Sequence, residues 1–122
     1  MLDHVALNVR DLSAAKAFYL AALEPLGYSV FLEHGQDLGL KSPEGEPDFW
    51  LCERGEPSAP THVAFRAADR ATVDAYHAAA VAAGGTDNGA PGIRPDFHEH
   101  YYAAFVLDPE GNNIEAVCQQ PA

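Results

Sequence analysis

Two histidines and a glutamate are the residues whose types and spacing could hold chemistry. His4 and His62 occupy the same point of an internal repeat. Laying residues 62–86 over residues 4–28 gives eight identities in twenty-five positions without a gap: His4/His62, Val5/Val63, Ala6/Ala64, Asp11/Asp69, Ala17/Ala75, Ala21/Ala79, Ala22/Ala80 and Gly27/Gly85. A single histidine in a strand is more often a hydrogen-bonded structural residue than a ligand, but equivalence in a repeat pairs these two. Glu115 stands between Ile114 and Ala116 in an apolar run, where an ionised carboxylate is costly to bury unless it is paired or bound to a metal. Two imidazoles and a carboxylate suit Fe(II), Mn(II), Zn(II) or Ni(II) at an open site. One divalent metal ion is therefore the expected cofactor, and the donor types do not choose among the four.

The elements that must position these residues follow from hydrophobic period. Period-two alternation in the opening strand, residues 3–9, sets His4, Ala6 and Asn8 against Val5, Leu7 and Val9. In the repeat, residues 61–67 set His62, Ala64 and Arg66 against Val63, Phe65 and Ala67. The apolar sets can cover a helix, which leaves both histidines on the other face. Asp11 and Asp69 are placed as N-caps. The helices they start end near Pro25-Gly27 and Gly84-Gly85. Strands are expected at 28–33, 37–41, 48–53, 101–107 and 113–118, with a type I turn at Asp108-Pro109-Glu110-Gly111. Residues 86–100, with two glycines and two prolines, read as a long loop holding at most one short strand near its start.

The order is strand, helix, three strands, twice over. This is an α+β fold of two tandem βαβββ modules, 1–56 and 57–122, in one domain, with a Pro/Gly linker over 54–60. Paired, the modules form an eight-stranded curved mixed sheet with its helices outside.

The composition narrows the partners. Eighteen acidic residues against seven basic ones give a formal net charge of −11, a field that repels nucleic acid and anionic membrane surfaces. No apolar run is long enough to cross a bilayer, and residues 1–20 lack the pattern of a signal peptide, so a cytoplasmic location is expected. Cys52 and Cys118 read as reduced thiols rather than a bridge.

The paired openings with His4 and His62, together with Phe105-Val106-Leu107-Asp108-Pro109-Glu110-Gly111-Asn112-Asn113-Ile114-Glu115, resemble the vicinal oxygen chelate superfamily. That superfamily includes glyoxalase I, extradiol dioxygenases, fosfomycin-resistance proteins and bleomycin-binding proteins. The likeness spans essentially the whole chain. It implies a cup-shaped sheet holding a divalent metal that chelates two neighbouring oxygens of a small-molecule substrate, with His4, His62 and Glu115 as ligands. It also implies a homodimer, in which pairing completes the cup or covers a sheet edge. Glyoxalase I has a fourth ligand, a glutamate, on the strand where this chain carries Trp50 or Phe49, so a shuttle between two metal-bound glutamates is not expected.

Three functions fit this pattern: Lewis-acid chemistry of lyase, isomerase or transferase type; Fe(II)-dependent dioxygenation; and metal-free sequestration of a drug in a bleomycin-resistance manner. Asn8 and Arg66 share the histidines' face and could orient substrate, and Trp50 could form an apolar wall. Tyr102, a further candidate for contact with substrate, belongs to a cluster before the seventh strand that also holds His98, His100 and Tyr101, the expected sources of a general acid or base.

Overall fold

Both repeats open with an aspartate cap. In the computed structural model, which describes residues 1–122, Asp11 Oδ1 accepts from the Ala14 amide at 3.0 Å, and Asp69 Oδ1 accepts from the Thr72 amide at 2.8 Å. Each cap follows a short strand, β1 (Val5–Asn8) or β5 (His62–Arg66), and starts a helix, α1 (Leu12–Ala22) or α2 (Arg70–Ala82). Three strands complete each unit: β2 (Ser29–His34), β3 (Asp37–Lys41) and β4 (Phe49–Cys52), then β6 (Thr86–Ile93), β7 (Tyr102–Leu107) and β8 (Asn113–Cys118). The helix expected to run towards Pro25 stops earlier, at Ala22, and continues as a 3₁₀ turn over Glu24–Leu26. Gly27, at φ +81°, closes that turn in a left-handed conformation that disfavours a side chain.

The eight strands form two four-stranded mixed sheets, ordered β1-β4-β3-β2 and β5-β8-β7-β6. In each, the first strand of the module runs parallel to the last, and the other neighbours are antiparallel. The registers are equivalent: Ala6 faces Trp50 as Ala64 faces Glu115. Trp50, rather than Phe49, therefore holds the position of Glu115 in the first module. Phe49 is buried on the helix side instead.

Residues 86–93 form a full edge strand where a loop is expected. The glycines and Pro91 that argue against a strand fall where the ladder with β7 slips, between Asp87 and Gly89 and between Gly89 and Gly92. An edge strand with bulges tolerates both residue types, because one side of it needs no ladder partner.

One face of each sheet packs on helices. A single apolar cluster takes Leu7, Leu40 and Leu51 from the first sheet, Val106, Ile114 and Ala116 from the second, and Phe18, Val73 and Tyr76 from the helices. Each Val, Leu, Ile or Phe among them, fully buried, contributes about 1.5–3 kcal/mol. The modules share this core: α1 packs on α2, and Phe65 of β5 meets Tyr28 and Phe49 edge to face, with ring centroids 5.4 and 5.2 Å apart. The opposite face of each sheet is left open. No helix is long and apolar enough to cross a membrane.

Candidate metal and substrate site

Glu115 sits on the open face of β8. Its strand neighbours Ile114 and Ala116 point to the core, so alternation turns the carboxylate away from the helices, opposite Phe105 of β7. It is nevertheless only 1 % exposed, and a carboxylate that dry needs partners for its oxygens. It has two. His62 Nε2 lies 2.8 Å from Oε1, and the Tyr101 hydroxyl donates to Oε2. Burial, followed by the hydrogen bond to Glu115 and the charge of its carboxylate, pushes the Tyr101 phenol up to about 12. At neutral pH Tyr101 thus keeps its proton and remains a donor.

His4 is placed differently. Its Nδ1 lies 2.7 Å from the Asp3 carboxylate in an exposed pair just ahead of β1. His4 and His62 both line a cleft of about 520 Å³ between the two modules, which Arg66, Tyr28 and Asp48 also border. The Tyr28 hydroxyl spans both Asp48 oxygens at 3.0 Å. The histidines open on one cleft without converging, and no three His, Cys, Asp or Glu side chains of the chain are arranged to hold a metal ion. His62 and Glu115 fit as two ligands at one point. No third His, Cys, Asp or Glu side chain of the same chain joins them.

The remaining candidates divide between the faces. Trp50 lies on the open face of the first sheet, its indole directly above Gly39: a Cβ there would come within 2.7 Å of the ring. The Asn8 backbone is tied to Ser58, whose hydroxyl accepts from the Asn8 amide at 2.9 Å. Arg66 is exposed at the end of β5. Tyr102, next in the chain to Tyr101, faces the helices: its hydroxyl donates to Asp74 at 2.6 Å and the Arg70 guanidinium stacks on its ring. Alternation along β7 thus separates Tyr102 from the Glu115 face. His98 and His100 lie on the segment before Tyr101, with the His100 amide donating to His98 Nδ1 at 3.1 Å. His98 is exposed, and neither imidazole is hydrogen-bonded to Glu115.

Two residues join this face without having been expected there. Phe105 lies across from Glu115 and 6.2 Å, ring to ring, from His62. The Arg94 guanidinium stands 5.4 Å above the same ring. Phe105 could have been found by counting alternate residues along β7. Arg94 could not, because its position depends on 86–93 being a strand.

Comparison with known proteins agrees with this architecture. Residues 1–116 match the model of the Glyoxalase/Bleomycin resistance protein/Dioxygenase superfamily. No curated protein matches the sequence. Among solved structures, the chain is similar to a glyoxalase/bleomycin resistance protein from Albidiferax ferrireducens T118, at 33 % identity and a TM-score of 0.86 over 97 % of this chain and 98 % of that one. A glyoxalase/bleomycin resistance protein/dioxygenase family enzyme from Burkholderia phytofirmans PsJN shares the fold at 23 % identity and a TM-score of 0.75, over 96 % and 97 % of the two chains. Lactoylglutathione lyase from Agrobacterium tumefaciens does so at 23 % identity and a TM-score of 0.73, over 97 % and 92 %. Repeated βαβββ units, a buried glutamate opposite the helix-covered face, and a family match over nearly the whole length lead to one assignment: the chain belongs to the glyoxalase/bleomycin resistance protein/dioxygenase superfamily.

Proposed function

We propose that this protein is a small divalent-metal-dependent enzyme of lyase, isomerase or transferase type, acting as a homodimer on a small substrate that presents two neighbouring oxygens. The observation that carries the reading is the Glu115 carboxylate, buried yet turned away from the helices, with the His62 imidazole 2.8 Å away. When bound, the ion would supply Lewis-acid polarisation of the substrate oxygens. His62 and Glu115 are its proposed ligands in one copy, and His4 of a second copy is the proposed third. Three features support that pairing. His4 and His62 border the same cleft without meeting, β1 and β5 each have a sheet neighbour on one side only, and Val30, Phe31 and Leu32 of the edge strand β2 are exposed.

The chain's own side chains divide the remaining work. Trp50 stands at the register position of Glu115 and cannot ligate, so proton transfer falls to other residues. Tyr101 holds a proton beside Glu115, and His98 and His100 lie on the same segment. These three are the proposed acid and base groups. Trp50 supplies an apolar wall, and Asn8 and Arg66 line the approach.

A second reading, metal-free binding of a small molecule in the same cup, is favoured by one observation: both Glu115 oxygens are already hydrogen-bonded within the chain. Metal analysis of untagged protein, with and without added Fe(II), Mn(II), Zn(II) or Ni(II), separates the two. The enzyme reading expects one ion per site, lost in His62→Ala and Glu115→Gln, together with a dimer in sedimentation. Wild-type protein that stays metal-free with every ion overturns it.

A further inference from the structure

The open face of the second sheet carries an arginine in a built seat. Arg94 follows β6, and its side chain folds back over that strand. Nη2 donates to the Ala90 carbonyl at 2.7 Å, and the guanidinium carbon lies 5.4 Å from the centre of the Phe105 ring. The strand beneath is cleared for it. A Cβ at Gly89 would stand 3.2 Å from Nη2, and one at Gly92 would stand 3.1 Å from Nη1. Arg94 is only partly exposed, so its direction is set by a hydrogen bond, a ring and two glycines.

What the seat lacks is an acid. Of the seven Lys and Arg side chains only Lys16 and Arg54 are paired with a carboxylate, so what sets Arg94 apart is its seat on the open face and not the missing partner alone. Those two are held by Glu33 and Asp37 respectively; Arg94 forms no ion pair, and its only side-chain hydrogen bond goes to a backbone carbonyl. A guanidinium carries five donors in a planar fork. Arg94 spends one group on Ala90 and leaves others free over the face that bears His62 and Glu115.

We infer that Arg94 is the anchor for a carboxylate at the far end of the substrate. This rests on the reading of the Glu115 face as the substrate site. Phe105 connects the two ends: its ring centroid is 6.2 Å from that of His62, and the Arg94 guanidinium lies over the same ring at 5.4 Å. Glu115 and the seat are two strand spacings apart across β8, β7 and β6, roughly 10 Å between backbones. A substrate spanning them has its two-oxygen end at His62 and Glu115, a chain of a few carbons over the Phe105 ring, and an anionic oxygen group in the arginine fork. A carboxylate matches one planar monocation bidentately. A phosphate dianion would call for a second cation, and none is paired with Arg94. In a protein of net charge −11, such a substrate gains its only local attraction from fixed cations of this kind, so the arginine selects as well as binds.

The test uses two probes that share a 2-oxo acid end. 2-Oxoadipate carries a second carboxylate at its far end, and 2-oxohexanoate carries a methyl group there. Calorimetry on the purified protein is expected to give a preference for 2-oxoadipate of roughly 10- to 100-fold, the worth of one charge-assisted contact. Arg94→Met should bring the ratio close to one by weakening 2-oxoadipate alone, and Arg94→Lys should retain part of it. In ¹⁵N-labelled wild-type protein stripped of metal, the Arg94 Nε–Hε resonance should shift when propanoate is added. That measurement reports on the seat whether or not a metal binds, so a failed metal analysis and a failed carboxylate seat are read separately. Absence of a preference in the wild type, an undiminished preference in Arg94→Met, or an Arg94 resonance unmoved by propanoate overturns the inference.

Discussion

The hydroxyl of Tyr19, on the first module's helix, donates to the carboxylate of Asp108, at the head of the second module's closing hairpin. Both residues are buried. Asp108 also accepts from the amides of Glu110 at 2.9 Å and Asn112 at 2.8 Å, and from the Asn112 side chain at 2.9 Å. The Asp-Pro-Glu-Gly-Asn turn is therefore a capped unit that reaches back to the other module, which explains why so distinctive a motif speaks for the fold and says little about the reaction. Burial, with the Asp108 charge next, raises the Tyr19 phenol far above its ordinary range, so it donates throughout the neutral region. Tyr19→Phe removes one donor from a buried carboxylate. It should cost about 1–3 kcal/mol in urea unfolding and leave metal content unchanged in the folded protein.

Tyr101 touches Glu115 directly, and its removal should separate binding from chemistry. Tyr101→Phe is expected to retain the metal, because His62 and the Glu115 carboxylate persist, and to lower turnover by roughly 10²–10⁴ if the phenol is the acid. His98→Ala and His100→Ala belong in the same series. Should all three variants keep full activity on a substrate found by metabolite screening, the 94–101 segment is a surface connection.

Trp50 is the protein's only tryptophan, so its fluorescence reports one place on the open face of the first sheet. Its indole occupies the space a side chain at Gly39 would need. Gly39→Ala should displace the ring, shift the emission to longer wavelength and cost about 1–3 kcal/mol by overpacking. An unchanged spectrum would mean that the ring does not rest on Gly39 in solution.

Asp69 provides the pH test. Its carboxyl lies below the ordinary aspartate range, chiefly because the Thr72 hydroxyl and then the Thr72 amide donate to it. A carboxyl whose folded value is lowered stabilises the fold above its unfolded value and loses that contribution as pH falls through the folded value. Asp69→Ala should therefore lower Tm at neutral pH. The gap to wild type should close below about pH 4, as the unfolded-state carboxyl and then the folded one take up protons. A gap of constant size down to pH 2 would show that the cap acts through packing alone.

Much of this arrangement is written in local pattern. Alternation decides which face of a strand a side chain takes, so the orientation of Glu115 and the shared facing of His4 and His62 follow from the sequence. An N-cap involves residues only three apart, so Asp11 and Asp69 are equally legible. The gapless repeat covers only the opening strand and helix of each module, so the choice of Trp50 over Phe49 as the counterpart of Glu115 came from the strand registers. Other features depend on neighbours far away in the chain. Residues 86–93 become a strand because β7 offers its edge to a segment whose own composition argues for a loop, and only then does Arg94 come over Phe105. Tyr101 and Tyr102, adjacent in sequence, reach opposite faces, one to Glu115 and the other to Asp74. Whether the two histidines meet was decided by packing alone. The helices, Tyr19 on Asp108 and Phe65 on Phe49 set how the modules lean together, and that lean leaves a cleft between His4 and His62 that repeat symmetry does not foretell.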